Sequence, residues 1–134
     1  MTPTILCVDD DEGMARMMRD TLSPRGFNVI NAASVQQAAD IARTTKLDLI
    51  ILDVFLPDEE GFALFERLAT ESPAQKVPVI MASGCGTPEA RNLASRRGAV
   101  AYLQKPFQIQ QLLKIINWAA PQPGPEVPAE GLKD

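Results

Sequence analysis

The sequence predicts an α/β domain built on a parallel sheet, and three features carry that prediction. Short β-rich runs alternate with longer stretches of helical periodicity, the pattern of repeated βαβ units. Several of the β-rich runs are almost continuously apolar, as strands covered on both faces must be. The punctuation also fits: Ser34 and Thr87-Pro88 stand at helix starts, and Pro24, Gly26 and Gly98 at helix ends.

The elements follow in order. Strands are expected at Thr4–Val8, Asn28–Ala32, Leu49–Val54, Val77–Ala82 and Ala101–Leu103. The second and fifth are shorter or more polar, which suits positions nearer the sheet edges. The first helix, Glu12–Leu22, sets Met14, Met17, Met18 and Leu22 at helical spacing as a core face. The second follows Ser34 and carries a small-residue stripe of Val35, Ala38, Ala39 and Ala42. The third, Gly61–Glu71, is expected to bury Phe62, Leu64 or Phe65, and Leu68; the fourth runs from Thr87-Pro88 to near Gly98. The fifth, Ile109–Ala119, has Ile109, Leu112, Leu113 and Ile116 as its core stripe. Ile115 and Trp118 lie off that stripe and mark a candidate partner surface.

A chain of 134 residues, 46% hydrophobic and 22% charged, reads as one globular domain. The expected division is a domain over residues 1–120 and a tail or truncated linker over 121–134, where prolines and glycines replace apolar periodicity. A net charge of -4 of mixed sign argues against direct nucleic-acid binding, which needs a basic patch. No apolar run approaches the ~20 residues that span a bilayer, and the N-terminus lacks a signal-peptide pattern. The expectation is a cytoplasmic protein without membrane contact. The absence of histidine excludes Ser-His-Asp chemistry, histidine-ligated zinc and a phosphohistidine carrier. Cys7, inside an apolar run, reads as a small core residue.

Chemistry gathers at the C-terminal ends of the strands, where parallel α/β sheets bind ligands. Asp9 and Asp10 follow the first strand, Asp53 the third, Ser83 and Gly84 the fourth, and Lys105-Pro106 the fifth. Carboxylates and water suit Mg²⁺, which is held through one or two carboxylates together with phosphoryl oxygens. Lysine and hydroxyl add charge and hydrogen bonds to a phosphoryl group. Asp53, at the tip of the central strand, is the natural nucleophile for an aspartyl phosphate. Asp11 and Glu12 read instead as helix N-terminal acids, and Asp58, Glu59 and Glu60 as a solvated loop.

At these positions the chain resembles the receiver domain of two-component response regulators, of the stand-alone, chemotaxis-regulator-like type. The matching stretches are VDDDEG at 8–13, LIILDVFLPDEEG at 49–61, PVIMAS at 78–83 and AYLQKPF at 101–107. Their order and spacing cover residues 4–120.

The resemblance implies a flavodoxin-like (βα)5 doubly wound sheet with strand order 2-1-3-4-5. It implies that Asp53 takes a phosphoryl group from a histidine kinase or phosphotransfer protein. It further implies that Asp10, Asp53 and the Phe55 backbone carbonyl ligate Mg²⁺, with Asp9 acting mainly through water. Lys105 and Ser83 are then phosphate contacts, beside a small Gly84 that leaves room for a donor. Tyr102 falls at an aromatic switch position, and the Lys105–Pro106 bond is implied to be cis. Output is expected through the face made by the fourth helix, fifth strand and fifth helix, to a partner the sequence does not name. The domain is a signalling module rather than an enzyme, although it takes part in its own phosphoryl transfer.

Phe55 and Cys85 flank the phosphoryl position in the family and tune its hydrolysis; here neither offers an acid or carboxamide to place a water. Slow spontaneous dephosphorylation is expected. Two rival readings are a metal-dependent phosphatase of the haloacid-dehalogenase type and a non-phosphorylated scaffold. The first needs an acid where Phe55 stands. The second has no use for the Asp10, Asp53, Ser83 and Lys105 set.

Overall fold

The computed structural model describes residues 2–72, 76–84 and 86–123. Its strands are β1 (Thr4–Val8), β2 (Asn28–Ala32), β3 (Leu49–Asp53), β4 (Val79–Ser83) and β5 (Ala101–Gln104). Its helices are α1 (Glu12–Leu22), α2 (Val35–Thr44), α3 (Ala63–Glu71), α4 (Pro88–Arg96) and α5 (Ile109–Ala119), with a short 3₁₀ turn at Ser23–Arg25. All strand pairs are parallel, in the order β2-β1-β3-β4-β5. This is the flavodoxin-like fold with the expected order. The two polar strands do lie at the edges.

Alternation along the strands divides the core into two layers, because successive side chains point to opposite faces. Leu6, Val8, Ile50, Leu52, Val79 and Met81 pack with α2, α3 and α4, through Ala38, Ala39, Leu64 and Ala94 among others. Ile5, Cys7, Leu49, Ile51, Ile80 and Ala82 pack with Met18 and Leu22 of α1 and Leu112 and Ile116 of α5. Burying each large side chain stabilises the fold by roughly 1.5–3 kcal/mol, so a substitution on either face is felt. The small-residue stripe of α2 is wholly buried, which lets that helix lie close to the sheet.

Ser34 and Thr87 cap helices as read from the sequence, and Asp11, read there only as a helix N-terminal acid, caps α1. Asp11 Oδ1 accepts the Gly13 N–H at 2.9 Å, Ser34 Oγ the Gln37 N–H at 3.1 Å, and Thr87 Oγ1 the Ala90 N–H at 3.2 Å. Gly26 and Gly98 adopt φ of 93° and 105°, the left-handed region that ends the preceding turns.

Five boundaries move. β4 starts two residues late because Pro78 has no N–H; its carbonyl accepts from Ile50 N at 3.0 Å just ahead of the strand. The same strand runs one residue further, to Ser83, whose carbonyl accepts Lys105 N–H at 2.7 Å, and β5 extends to Gln104. β3 stops at Asp53 rather than Val54. α3 begins at Ala63 rather than Gly61, because the Gly61 N–H turns back to the Val54 carbonyl at 2.6 Å.

The face of α5 also differs from expectation. Ile109 is 44% exposed: helical side chains lean toward the N-terminus, so the first residue projects past the helix end. Ile115 is partly buried with the α1–α5 layer, because the buried arc is wide enough to take in 112, 115, 116 and 119. The expected exposed pair is therefore reduced to Trp118, which is 69% exposed.

Candidate functional site

Strand register brings the chemistry to one level. Val8 pairs with Leu52, so Asp9 follows β1 at the height where Asp53 closes β3. Asp53 pairs with Ala82 and Ser83 with Gln104, which sets Ser83 and Lys105 immediately beyond. Asp9, Asp10 and Asp53 each offer a carboxylate oxygen, all within 4.8 Å of one another. Octahedral Mg²⁺ with oxygens at about 2.1 Å spaces opposite ligands about 4.2 Å apart, a spacing comparable to that of this set.

The Lys105 ammonium reaches into the cluster. Its Nζ donates to Asp9 Oδ2 at 2.6 Å and to Asp53 Oδ2 at 3.3 Å. The second oxygens are used as well: Asp9 Oδ1 accepts the Asp11 N–H at 3.0 Å, and Asp53 Oδ1 the Phe55 N–H at 3.2 Å. Asp9 and Asp53 are mostly buried, with side chains 9% and 12% exposed, whereas Asp10 stands in solvent. Asp9 is thus held from both sides and Asp10 has room to turn toward a cation.

Electrostatics follow the burial. Desolvation pushes the Asp53 carboxyl above the usual range, and the neighbouring Asp9 charge adds to it; Lys105 and the Phe55 N–H pull the other way. Burial alone lowers the Lys105 ammonium, but its pairs with Asp9 and Asp53 prevail and hold it above its ordinary value. Cys7, beneath the cluster, is buried in the core and its thiol is pushed up to about 12, first by burial and then by Asp9. It is a packing residue.

The β3–α3 loop is closely fitted to β3, the strand that ends in Asp53. A Cβ on Gly61 would lie 2.1 Å from the Asp53 carbonyl oxygen, so only glycine allows the chain to pass there. Phe55 bridges to Glu60 across the loop and is itself 61% exposed at the rim of the site. Asp58 corrects the reading of a merely solvated loop. Its two oxygens accept the Val35 and Gln36 N–H groups, each at 3.0 Å. Sequence reading missed it because a carboxylate capping a helix 22 residues earlier leaves no local signature.

Ser83 is fully buried at the end of β4 and engaged there. A Cβ at Gly84 would meet nothing within 4 Å, so space is open beside it. The Lys105–Pro106 bond is cis. Tyr102 is half-buried, with the Arg91 guanidinium 4.9 Å from its ring centroid. Tyr102, Gln104, Lys105, Lys114 and Ile115 line a groove of about 520 Å³ on the α4–β5–α5 face, which none of the three acids lines. Cys85 lies outside the described residues, as does most of the proline-rich tail.

The family model of the response regulator receiver domain matches residues 5–117. The chain belongs to the response regulator receiver family.

Among curated relatives of this receiver domain, the transcriptional regulatory protein CpxR of Escherichia coli (strain K12) is 35% identical over 113 residues, 84% of this chain and 47% of that protein. The probable transcriptional regulator ycf29 of Cyanophora paradoxa is 34% identical over 113 residues, 84% and 54% of the two chains. The receiver domain spans about half the length of the curated relatives it matches. Among solved structures, the chemotaxis response regulator CheY4 of Vibrio cholerae superposes with a TM-score of 0.82 at 29% identity, covering 89% of this chain and 99% of that one. A response regulator from Burkholderia pseudomallei, solved with a phosphorylated aspartic acid, calcium ion and citrate, gives 0.73 at 26% identity, over 83% and 64%. Receiver domains are signalling modules that interact with histidine kinases or phosphotransfer proteins. No helix among the described residues is long and apolar enough to cross a membrane.

Proposed function

We propose that this receiver accepts a phosphoryl group on Asp53 from a phosphohistidine of a partner kinase or phosphotransfer protein. The observation that carries the reading is the Lys105 ammonium placed between Asp9 and Asp53, beside exposed Asp10. An Asp53 carboxylate oxygen attacks phosphorus in line, the phosphorus–nitrogen bond breaks, and the imidazole nitrogen leaves with its electron pair. Lys105 stays protonated and meets the charge on the transferring oxygens. Ser83 and Gly84 line the side on which the phosphoryl group arrives.

Asp10, Asp53 and the Phe55 carbonyl would hold Mg²⁺, and Asp9 would act through water; Mg²⁺ and aspartyl phosphorylation are typical of the family. When bound, the ion offsets negative charge on the phosphoryl oxygens. The phosphorylated aspartic acid and calcium ion in the Burkholderia pseudomallei relative support this reading. Charge added at Asp53 then biases the α4–β5–α5 face, with Tyr102 and the exposed Trp118 among its residues.

The receiver proper is residues 1–120, acting in the cytoplasm, and the segment after it is a tail or linker. The curated relatives, about twice as long, are named as transcriptional regulators. Absence of nucleic-acid contact therefore applies to the receiver alone, and an output acting at DNA fits a longer protein.

Incubation with Mg²⁺ and a small acyl phosphate, followed by intact mass, tests the assignment. A single-phosphate adduct lost in Asp53→Ala is expected. No adduct, even with the cognate kinase, leaves a receiver-fold scaffold. Steady turnover of phosphate esters would instead indicate an aspartyl phosphatase.

A further inference from the structure

The β3–α3 loop is tied to α2 through contacts that the acid cluster itself does not require. Asp58 Oδ1 accepts the Val35 N–H and Oδ2 the Gln36 N–H, both at 3.0 Å, while Oδ1 also takes the Glu59 N–H at 3.0 Å. Ser34 accepts only the third amide, that of Gln37, at 3.1 Å. The unpaired amides of the first turn of α2 are therefore shared between a local cap and a residue of a distant loop. Arg67 of α3 adds a second strap, donating to Glu59 at 3.3 Å and to Gln36 at 3.0 Å. The other limb of the loop is closed by the Phe55–Glu60 bridge and by Gly61 N–H on the Val54 carbonyl.

The α2 turn that receives Asp58 itself adjoins the acids. Ala33 and Gln37 line one shallow groove together with Asp9 and Asp10, and the Asp9 N–H donates to the Ala32 carbonyl at 2.9 Å. Asp58 thus joins the loop bearing Phe55 to the segment adjoining Asp9 and Asp10.

We infer that Asp58 is a positioning residue for the divalent-cation site, holding the Phe55 carbonyl in place by docking its loop on the first turn of α2. The inference rests on the reading of Asp10, Asp53 and the Phe55 carbonyl as Mg²⁺ ligands. Mg²⁺ demands near-ideal octahedral geometry, so a ligand carried on a loop contributes fully only when the loop is held beforehand. Partners one shell out from a metal typically change affinity ten- to a hundredfold.

The test is calorimetric titration of the full chain with Mg²⁺ alone, at fixed ionic strength. Asp58→Ala should weaken binding about tenfold. Ser34→Ala removes the other half of the same helix cap and should lower the melting temperature comparably, while leaving Mg²⁺ affinity unchanged. Asp58→Asn keeps the side chain's volume but turns an NH₂ toward one of the two amides; it should weaken Mg²⁺ as well. If Asp58→Ala is too unstable to titrate, Asp58→Asn decides. Wild-type affinity in the Asp58 variants, or equal weakening by Ser34→Ala, overturns the positioning role. Failure of the wild-type chain to bind Mg²⁺ removes the metal reading and this inference together, so the two failures are distinct.

Discussion

The Lys105 ammonium lies 2.6 Å from Asp9 Oδ2, nearer than its 3.3 Å approach to Asp53 Oδ2. The lysine therefore draws two mostly buried carboxylates together while leaving Asp53 the more loosely held of the two. An Asp53 that accepts a phosphoryl group, as proposed, needs that freedom, and Asp9 does not.

Removing this cation leaves two buried acids facing each other. Lys105→Met should destabilise the protein without Mg²⁺ by about 1–3 kcal/mol. Saturating Mg²⁺ should narrow the deficit, because it supplies positive charge to the same carboxylates. Urea unfolding of both proteins, with EDTA and with Mg²⁺, measures it; an equal deficit in both conditions would count against a shared cation site.

Asp53 gives a pH dependence of definite sign. Its carboxyl is raised, first by desolvation, so the folded chain holds this proton more tightly than the unfolded chain. Its contribution to stability is full below the unfolded carboxylate range and is lost as pH rises through the folded value. At neutral pH without Mg²⁺, Asp53→Asn should melt higher than wild type, and the gap should close as pH falls toward the carboxylate range. Melting curves in EDTA across that range test it.

Gly61 faces the Asp53 carbonyl with no room for a methyl group. Gly61→Ala must displace the β3–α3 loop and should cost more than about 2 kcal/mol. It should also slow phosphorylation by a small acyl phosphate, since the displaced backbone carries both Asp53 and Phe55. A stable variant with wild-type phosphorylation kinetics would contradict this.

Phe55 is exposed at the rim of the site and offers no group to place a water. Phe55→Asn, combined with Cys85→Glu, should speed loss of the phosphoryl group, because a carboxamide and a carboxylate can orient an attacking water. Decay of the phosphorylated form, followed by mass after removal of the donor, gives the rate. An unchanged rate would remove Phe55 from hydrolytic control.

Where a physical pattern is local, the sequence read it well. Apolar and β-rich runs located the strands, and Ser34 and Thr87 located helix starts, because hydrophobic period and capping act within a few residues. Ile109 and Ile115 were misplaced because exposure depends on where a helix sits against its neighbours. α3 began late for a similar reason: Gly61 turns back to Val54 instead of opening the helix.

The same division holds at the site. The sequence alone determined the residue types and their positions at strand ends: Asp9, Asp10, Asp53, Ser83 and Lys105, each just past an apolar run. Tertiary structure decided their surroundings and partners. Parallel register brought Asp9 level with Asp53, burial raised Asp53, and pairing across the sheet gave Lys105 more firmly to Asp9. Asp58 shows the difference most clearly, since its oxygens hold amides 22 and 23 positions away. Contacts across that separation are made by folding, and no local pattern of residues announces them.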